Sequence, residues 1–368
     1  MRGAKRLKTS YKGLSMSFSL WCDFVENHFL DTEFVELISS GKINGATSNP
    51  AIFKQAILNS PAYKAQLAKF KGQKPKAIYE NLAILDIQKA ADKLALNFHQ
   101  KNDGFVSLEI DPRLHDNAAL SLGEAKRLFS AISKENVMMK IPATAQSYEV
   151  MSELMSEGIS VNATLIFSLQ QAKDCFNALN LGLKKFRAKN ANALKSGNLN
   201  EPQGVISVFV SRFDRLLNAR VVDKNELGIL NASLCYEYIH AQNEPRIRTL
   251  FASTGVKGDD LPKDFYIKEL FFDECINTAP MDALHAFKGK TLCENSSLAS
   301  AKNSTNLDKT PLNAPCNVKF KTPLSQSEIY AKLNKNLRTD ELEKACEFLL
   351  DDGLKQFCIA FEEILRAV

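Results

Sequence analysis

The feature that most constrains the fold of this chain is a regular alternation of short strand-like runs with longer helical patterns. Apolar residues recur at helical spacing in several stretches, for example at Leu82, Leu85, Ala90 and Leu94. The candidate strands are 18–23, 45–48, 105–110, 136–141, 159–164, 204–210, 249–253 and 274–277, and the candidate helices between them are 31–40, 77–100, 121–133, 147–157 and 168–188. This alternation predicts an α/β fold with a parallel sheet, either closed as a barrel or open and doubly wound.

The end of the first strand separates these two architectures. Open sheets of this kind commonly carry a glycine-rich phosphate loop there, whereas this strand ends in Trp21, Cys22 and Asp23. We therefore predict a (β/α)8 TIM barrel that forms a single catalytic domain over residues 16–368. Helical patterns at 327–333 and 339–368 predict extra C-terminal helices, which would pack on the barrel through Leu349 and Phe357.

Two segments depart from the alternation. Residues 1–15 carry five basic residues and no acidic one, so the remaining 42 basic residues (47 less 5) equal the 42 acidic ones. We interpret residues 1–15 as a disordered basic extension, with a transit peptide or a start at Met16 as alternatives. Residues 291–325 are rich in Asn, Ser, Lys and Pro without apolar periodicity, which predicts a polar surface insertion.

Composition excludes several classes of function. The basic excess of the chain is confined to residues 1–15, and the rest of the chain is neutral, which argues against a nucleic-acid binder. The sequence contains neither a run of 18 apolar residues nor an apolar signal segment, which predicts no membrane partner. Eight cysteines without a C-x-x-C pair indicate reduced thiols in the cytoplasm. Five scattered histidines without metal-ligand spacing argue against a metal-dependent aldolase.

Lys140 is the most informative candidate residue. In a β/α barrel the reactive groups lie at the carboxyl ends of the strands, and Lys140 stands among apolar residues near the end of the fourth strand. Roughly one lysine in 2,500 is neutral at pH 7 in free solution, and burial favours the neutral amine that attacks a carbonyl to form a Schiff base. The alternative is a lysine that reaches solvent or pairs with an acidic side chain.

Other strand ends supply groups that Schiff-base aldol chemistry needs. Asp23 and Glu109 are carboxyl groups able to move protons, and Thr164 supplies a hydroxyl. Taken singly, Asp23 is more often a helix N-cap, Glu109 a salt-bridge partner, and Asn49 a turn residue before proline. Arg212, Ser253 and Lys257 follow late strands, where barrels often bind phosphate; the alternative is ordinary surface charge.

These motifs, in this order, resemble the transaldolases, in particular the longer bacterial and plant-like subgroup of the class I aldolase superfamily. The motifs that carry the resemblance are SLWCD at 19–23, GATSNPAIF at 45–53, VSLEID at 106–111, MKIPAT at 139–144, VNATLIFS at 161–168, VISVFVSR at 205–212 and ASTGVK at 252–257. YIKEL at 266–270 and INTAP at 276–280 continue it, so that it spans about residues 17–290.

The resemblance implies a cofactor-free enzyme of the pentose phosphate pathway, a monomer or homodimer acting on sugar phosphates. It implies that Lys140 forms the Schiff base, that Asp23 is the general acid/base, and that Glu109 and Thr164 activate water. The substrate would be bound by Asn49, Asn162 and Ser207, with Phe209 lining the pocket. The phosphate would be held by Arg212, Ser253 and Lys257. The family pattern places an arginine soon after the serine of strand seven, whereas here Thr254 follows Ser253, so the phosphate role is carried to Lys257. The alternative function is another Schiff-base aldolase acting on sugar phosphates.

Overall fold

In the computed structural model, which describes residues 18–197, 199–288 and 320–368, the strands form a closed parallel barrel in sequence order. The strands are β1 (Ser19–Cys22), β2 (Gly45–Thr47), β3 (Val106–Glu109), β4 (Val137–Pro142), β5 (Ser160–Ile166), β6 (Gly204–Phe209), β7 (Ile247–Ala252) and β8 (Ile276–Ala279). The barrel closes where β8 pairs with β1, with Trp21 opposite Thr278. The predicted (β/α)8 barrel is confirmed.

Helices surround the barrel and continue beyond it. They are α1 (Glu33–Ser39), α2 (Pro50–Asn59), α3 (Lys64–Lys69), α4 (Pro75–His99), α5 (Ala118–Ile132), α6 (Ser147–Ser156), α7 (Leu169–Lys189), α8 (Ala191–Lys195), α9 (Ser211–Leu217), α10 (Leu227–Ala241), α11 (Phe265–Glu269), α12 (Met281–Ala286), α13 (Gln326–Asn336) and α14 (Thr339–Ala367). Over the described residues, none of these helices has the length and apolar character needed to span a bilayer.

The last two strands begin at residues that differ from the prediction. Strand β7 begins at Ile247 and not at 249, because the charged Arg248 is buried inside the barrel in an ion pair with Asp103. Strand β8 begins at Ile276 and not at 274, because Glu274 has φ of 54°, a left-handed conformation that cannot continue a strand. Both errors arise from tertiary interactions or backbone geometry that apolar periodicity does not report.

The predicted C-terminal helices are present, and α14 packs across the carboxyl end of the barrel. The ring of Phe361 lies 5.0 Å from that of Tyr79 on α4, and the guanidinium of Arg113 lies 4.9 Å from the Phe361 ring centre. The thiol of Cys346 donates to the carbonyl of Phe167, just after β5. This helix therefore covers part of the end at which Lys140 lies.

The two segments that depart from the alternation lie mostly beyond the described residues. The basic extension at 1–15 and residues 291–319 of the predicted insertion are outside them. The end of that insertion, 320–325, has no regular secondary structure. It is fixed to the barrel by Lys321, whose backbone N–H donates to the carbonyl of Phe271 at 2.9 Å.

The amino end of the barrel is filled by a large aromatic side chain and a buried ion pair. Trp21 is fully buried, and its indole Nε1 donates to Oδ2 of Asp103 at 3.1 Å, while Arg248 donates to the other carboxylate oxygen. Burying this charge is tolerable because it is paired and hydrogen-bonded. The interior of the barrel is thus filled with side chains at its amino end, which we call the barrel floor, and the candidate residues lie at the carboxyl end.

Gly45 on β2 is required by the position of Trp21. A Cβ at residue 45 would lie 2.5 Å from the indole ring, and the ring cannot retreat because it is surrounded by core. We expect Gly45→Ala to lower the free energy of unfolding by about 1–3 kcal/mol through overpacking. Gly123 on α5 is the control: a Cβ there meets nothing within 4 Å, and Gly123→Ala should stabilise the protein by about 0.5–1 kcal/mol. Denaturant unfolding of both variants tests this, and equal stabilities would contradict it.

Candidate active site

The strand registers bring the candidate residues of β3, β4 and β5 side by side. Glu109 is paired with Lys140, and Lys140 with Asn162, across adjacent strands. Residues two apart on a strand point to the same face, so Ser107, two positions before Glu109, lies on the face that carries the site. This layout follows from the parallel pairing of three consecutive strands, and it sets a lysine between a carboxyl group and an amide.

Lys140 is buried, with 5% of its surface exposed. Its Nζ donates to the backbone carbonyl of Ser48 at 3.0 Å and lies 3.3 Å from Oε2 of Glu109. The Phe357 ring of α14 lies over it, with Nζ 5.9 Å from the ring centre. The amine is therefore held by one carbonyl and one carboxyl group beneath an aromatic ring, and the pairing alternative considered from sequence is present alongside the burial.

Glu109 is a strongly perturbed carboxyl group of the site. Burial raises the pKa of Glu109 to about 7, and the nearby positive charge of Lys140 only partly opposes this. The approach of Nζ is that of an ion pair: within the described residues, neither carboxylate oxygen accepts a hydrogen bond of good geometry. A carboxyl group in this state can both accept and release a proton near neutral pH.

Asp23 lies directly after β1, half-buried, and is held by a threonine. The Oγ1 of Thr47 donates to Oδ1 of Asp23 at 2.6 Å and lies 2.9 Å from Oγ1 of Thr278. Burial raises the pKa of Asp23, against the opposing effects of Lys140 and of the Thr47 hydrogen bond. Asp23 is not a helix N-cap in the structure, because the N-cap of the next helical turn is His28.

Polar side chains of β5 and β6 form a chain along the barrel wall. Asn162 donates through Nδ2 to Oγ of Ser107 at 3.2 Å, and its Oδ1 accepts from Oγ of Ser207 at 2.7 Å. Thr164 is fully buried, and its hydroxyl has no hydrogen-bond partner among the described residues. A buried hydroxyl without a partner costs stability unless a water molecule or a substrate satisfies it.

Asn49 is a helix N-cap, a different role from the turn residue considered from sequence. It is the N-cap of α2, where its Oδ1 accepts from the backbone N–H of Ile52 at 3.0 Å and Pro50 occupies the first helical position. Its side-chain nitrogen makes no hydrogen bond within the described part of the chain. That nitrogen remains available as a donor, so capping and substrate binding are compatible.

The three candidate phosphate ligands occupy different environments. The guanidinium of Arg212 lies over the Phe209 ring at 5.1 Å, and its Nη1 is buried without a hydrogen-bond partner in the described chain. Burial lowers the pKa of Arg212, and the nearby Arg215 adds to this. Ser253, with φ of 57°, has its hydroxyl 3.0 Å from that of Ser211. Lys257 is exposed and, over the described residues, makes no ion pair.

Comparison with known sequences shows the family to which the chain belongs. The sequence model of the transaldolase/fructose-6-phosphate aldolase family matches residues 20–368. The chain belongs to this family. It is 64% identical over 352 residues to a transaldolase of Campylobacter jejuni subsp. jejuni serotype O:23/36 (strain 81-176), which covers 96% of this chain and 99% of the relative. It is 42% identical over 356 residues to a transaldolase of Helicobacter pylori (strain P12), which covers 95% and 99%.

Several residues that contact the candidate site were not predicted from the sequence. Thr47 and Ser107 stand inside quoted motifs, and strand periodicity could have found Ser107, since it shares a face with Glu109. The carbonyl of Ser48 and the ring of Phe357 had no such indication. A backbone acceptor has no side-chain pattern, and Phe357 reaches Lys140 only because α14 crosses the barrel end.

Proposed function

We propose that this chain is a transaldolase, which moves a dihydroxyacetone unit from sedoheptulose 7-phosphate to glyceraldehyde 3-phosphate and so forms erythrose 4-phosphate and fructose 6-phosphate. The observation that carries the proposal is the buried Lys140 amine, 3.3 Å from Glu109 at the carboxyl end of the barrel. Membership of the family and the names of the relatives support the same reaction.

In the proposed mechanism Lys140 is the nucleophile. Its neutral amine attacks the donor ketone, and loss of water from the carbinolamine gives a protonated imine at C2, which accepts the electrons of the C3–C4 bond when that bond breaks. Glu109, whose pKa is raised to about 7, would give a proton to the carbinolamine hydroxyl so that it leaves as water, and later take one from the water that hydrolyses the imine. The unpartnered hydroxyl of Thr164 would hold that water.

Asp23 would remove the proton from the donor hydroxyl whose deprotonation cleaves the bond. Burial raises the pKa of Asp23, which makes it a stronger base than an exposed aspartate, and Thr47 fixes the carboxylate. The aldose leaves while the three-carbon unit stays on Lys140 as an enamine. The enamine then attacks the acceptor aldehyde, and Asp23 returns its proton to the new hydroxyl.

Binding would use the polar chain along β5 and β6 together with the late strands. Asn49 and Asn162 offer side-chain groups to the hydroxyls of the dihydroxyacetone moiety, with Ser207 beside them and Phe209 as the wall. The phosphate would be bound by Arg212, which has an unsatisfied Nη1, by Ser253 just after the neighbouring strand β7, and by Lys257 a few residues later. The buried free thiols of Cys22, Cys175 and Cys235 support a reducing compartment, and we place the enzyme in the cytoplasm.

Product analysis tests the proposed reaction against the other activity in the family description. The purified chain is given fructose 6-phosphate alone, and then fructose 6-phosphate with erythrose 4-phosphate. A transaldolase forms sedoheptulose 7-phosphate in the second reaction and releases almost no free dihydroxyacetone in the first. Rapid release of free dihydroxyacetone without an acceptor would contradict the proposal and assign a fructose-6-phosphate aldolase.

The raised pKa of Glu109 predicts a pH dependence. A carboxyl group with a pKa of about 7 is protonated below that pH and cannot accept a proton from water, so kcat should fall as pH decreases through about 7. In Glu109→Gln the residual activity should be low and flat between about pH 6 and 8. A wild-type profile that stays flat over this range, or an acidic limb that persists unchanged in Glu109→Gln, would contradict the role.

A further inference from the structure

A concavity lies at the end of the barrel opposite Lys140. It has a volume of about 340 Å³ and is lined by residues that stand at or just before the starts of strands, among them Phe105 before β3, Ser160 at the start of β5 and Gln203 before β6. It therefore opens at the amino face of the barrel, where catalytic groups are not expected. Its volume falls within the range of small-molecule sites.

The cavity has an aromatic wall. Phe98 at the end of α4, Phe105 and Phe129 on α5 all line it, and the rings of Phe98 and Phe105 meet edge to face with centres 5.2 Å apart. Phe105 is almost fully buried, whereas Phe98 and Phe129 are half-buried, so the wall offers part of these two rings to a flat apolar group.

Two acidic residues of the lining are already neutralised. Asp103 accepts hydrogen bonds from Trp21 and Arg248, and Glu201 accepts from Nε of Arg246 at 2.8 Å and from Arg187. Both carboxylates are therefore paired with arginine side chains of the protein. They are not available to a ligand.

Among the charged side chains of the lining, two make no ion pair within the described residues and a third is only partly used. Lys101 and Glu135 are exposed, and neither forms an ion pair or side-chain hydrogen bond within the part of the chain that the structure describes. Arg246 uses only its Nε, so its two terminal nitrogens make no hydrogen bond over those residues. The rim thus presents a free ammonium, a free carboxylate and the end of a guanidinium above an aromatic wall.

We propose that this cavity binds a small zwitterion with a flat apolar side chain, the chemistry of an aromatic α-amino acid. The ligand carboxylate would pair with Lys101 and the terminal nitrogens of Arg246, and the ligand ammonium with Glu135. The ring would lie against the phenylalanine wall. A ligand bearing only one charge would leave one rim charge unmatched, which is why the remaining groups favour a zwitterion over a simple anion or cation.

The proposed site is separate from the candidate active site. Buried side chains of the barrel interior, including Trp21, Met138 and Leu250, fill the space between the floor and the carboxyl end. A ligand in the cavity should therefore bind together with a sugar phosphate and not in competition with it. This inference does not rest on the proposed function, since it concerns other residues and another ligand.

Ligand-observed NMR titration of the full chain with L-phenylalanine tests the proposal. We expect saturable binding that fructose 6-phosphate does not displace. Phenylpropionate lacks the ammonium and phenethylamine lacks the carboxylate, so each should bind about tenfold or more weakly, the loss of one charge-assisted contact. Absence of saturable binding, displacement by fructose 6-phosphate, or equal binding of either single-charge analogue would overturn the proposal.

Matched variants locate the site. Lys101→Gln and Glu135→Gln should each weaken L-phenylalanine binding about tenfold while leaving sugar-phosphate turnover unchanged. Lys71→Gln is the control, because Lys71 is exposed before the start of α4, whereas the cavity lies at the other end of that helix. Wild-type affinity in both Lys101→Gln and Glu135→Gln, with native circular dichroism, would place any binding elsewhere and overturn the assignment.

Discussion

Lys140→Ala should fold and lose transfer activity by a factor of about 10⁴ or more, because no other group replaces a covalent nucleophile. Folding should survive for a specific reason. Removal of the amine leaves Glu109 buried, but burial already raises the pKa of this carboxyl group to about 7, so it can become neutral at little cost. A coupled assay gives the rate, and thermal unfolding with circular dichroism gives the fold.

Lys76 supplies the control for this substitution. It is a partly exposed lysine at the start of α4 that pairs with Asp111 and with Glu124 on α5, so Lys76→Ala changes charge and stability without removing a contact of Lys140. It should keep turnover close to that of the wild type at a temperature where it is folded. A soluble, folded Lys140→Ala with wild-type turnover would remove the basis of the mechanism.

Asp23→Asn should slow the reaction by about 10²–10⁴-fold, the range for loss of a general acid/base, and it should do so at one defined step. The amide keeps the size of the side chain and can still meet the hydroxyl of Thr47, so the local structure should persist. Imine formation uses Lys140 and Glu109 and should continue, whereas the carbon–carbon bond should not break.

Trapping distinguishes these steps in Asp23→Asn. With fructose 6-phosphate and borohydride, the variant should accumulate a six-carbon phosphate adduct, since the donor is bound as an imine but not cleaved. Asp92→Asn, a change at an exposed carboxylate paired with Lys134, should behave as the wild type. A three-carbon adduct in Asp23→Asn at the wild-type rate would assign the proton transfer to another residue.

Much of the fold could be predicted because parallel strands buried on both faces read as apolar runs bounded by turn residues. Helix α10 shows where this approach fails: buried residues such as Leu227, Asn231 and Tyr236 occur around its circumference, so no apolar stripe exists for periodicity to detect. The charged Arg248 similarly concealed the start of β7, because its partner Asp103 is distant in sequence. Both cases depend on tertiary packing.

The candidate site was predictable in its strand-end residues and less so in its supporting contacts. Lys140, Glu109 and Asn162 follow from the rule that reactive groups stand at the carboxyl ends of barrel strands, and the register places them side by side. The acceptor at Ser48 and the ring of Phe357 depend on a loop and on α14, which no local pattern positions against β4.

The most direct test of the central claim is to identify the residue that carries the covalent intermediate. The wild-type chain is incubated with fructose 6-phosphate, reduced with borohydride, digested and mapped by mass spectrometry. We predict a single reduced three-carbon adduct on the peptide that contains Lys140. An adduct on any other lysine, or none under conditions of full turnover, would contradict the account.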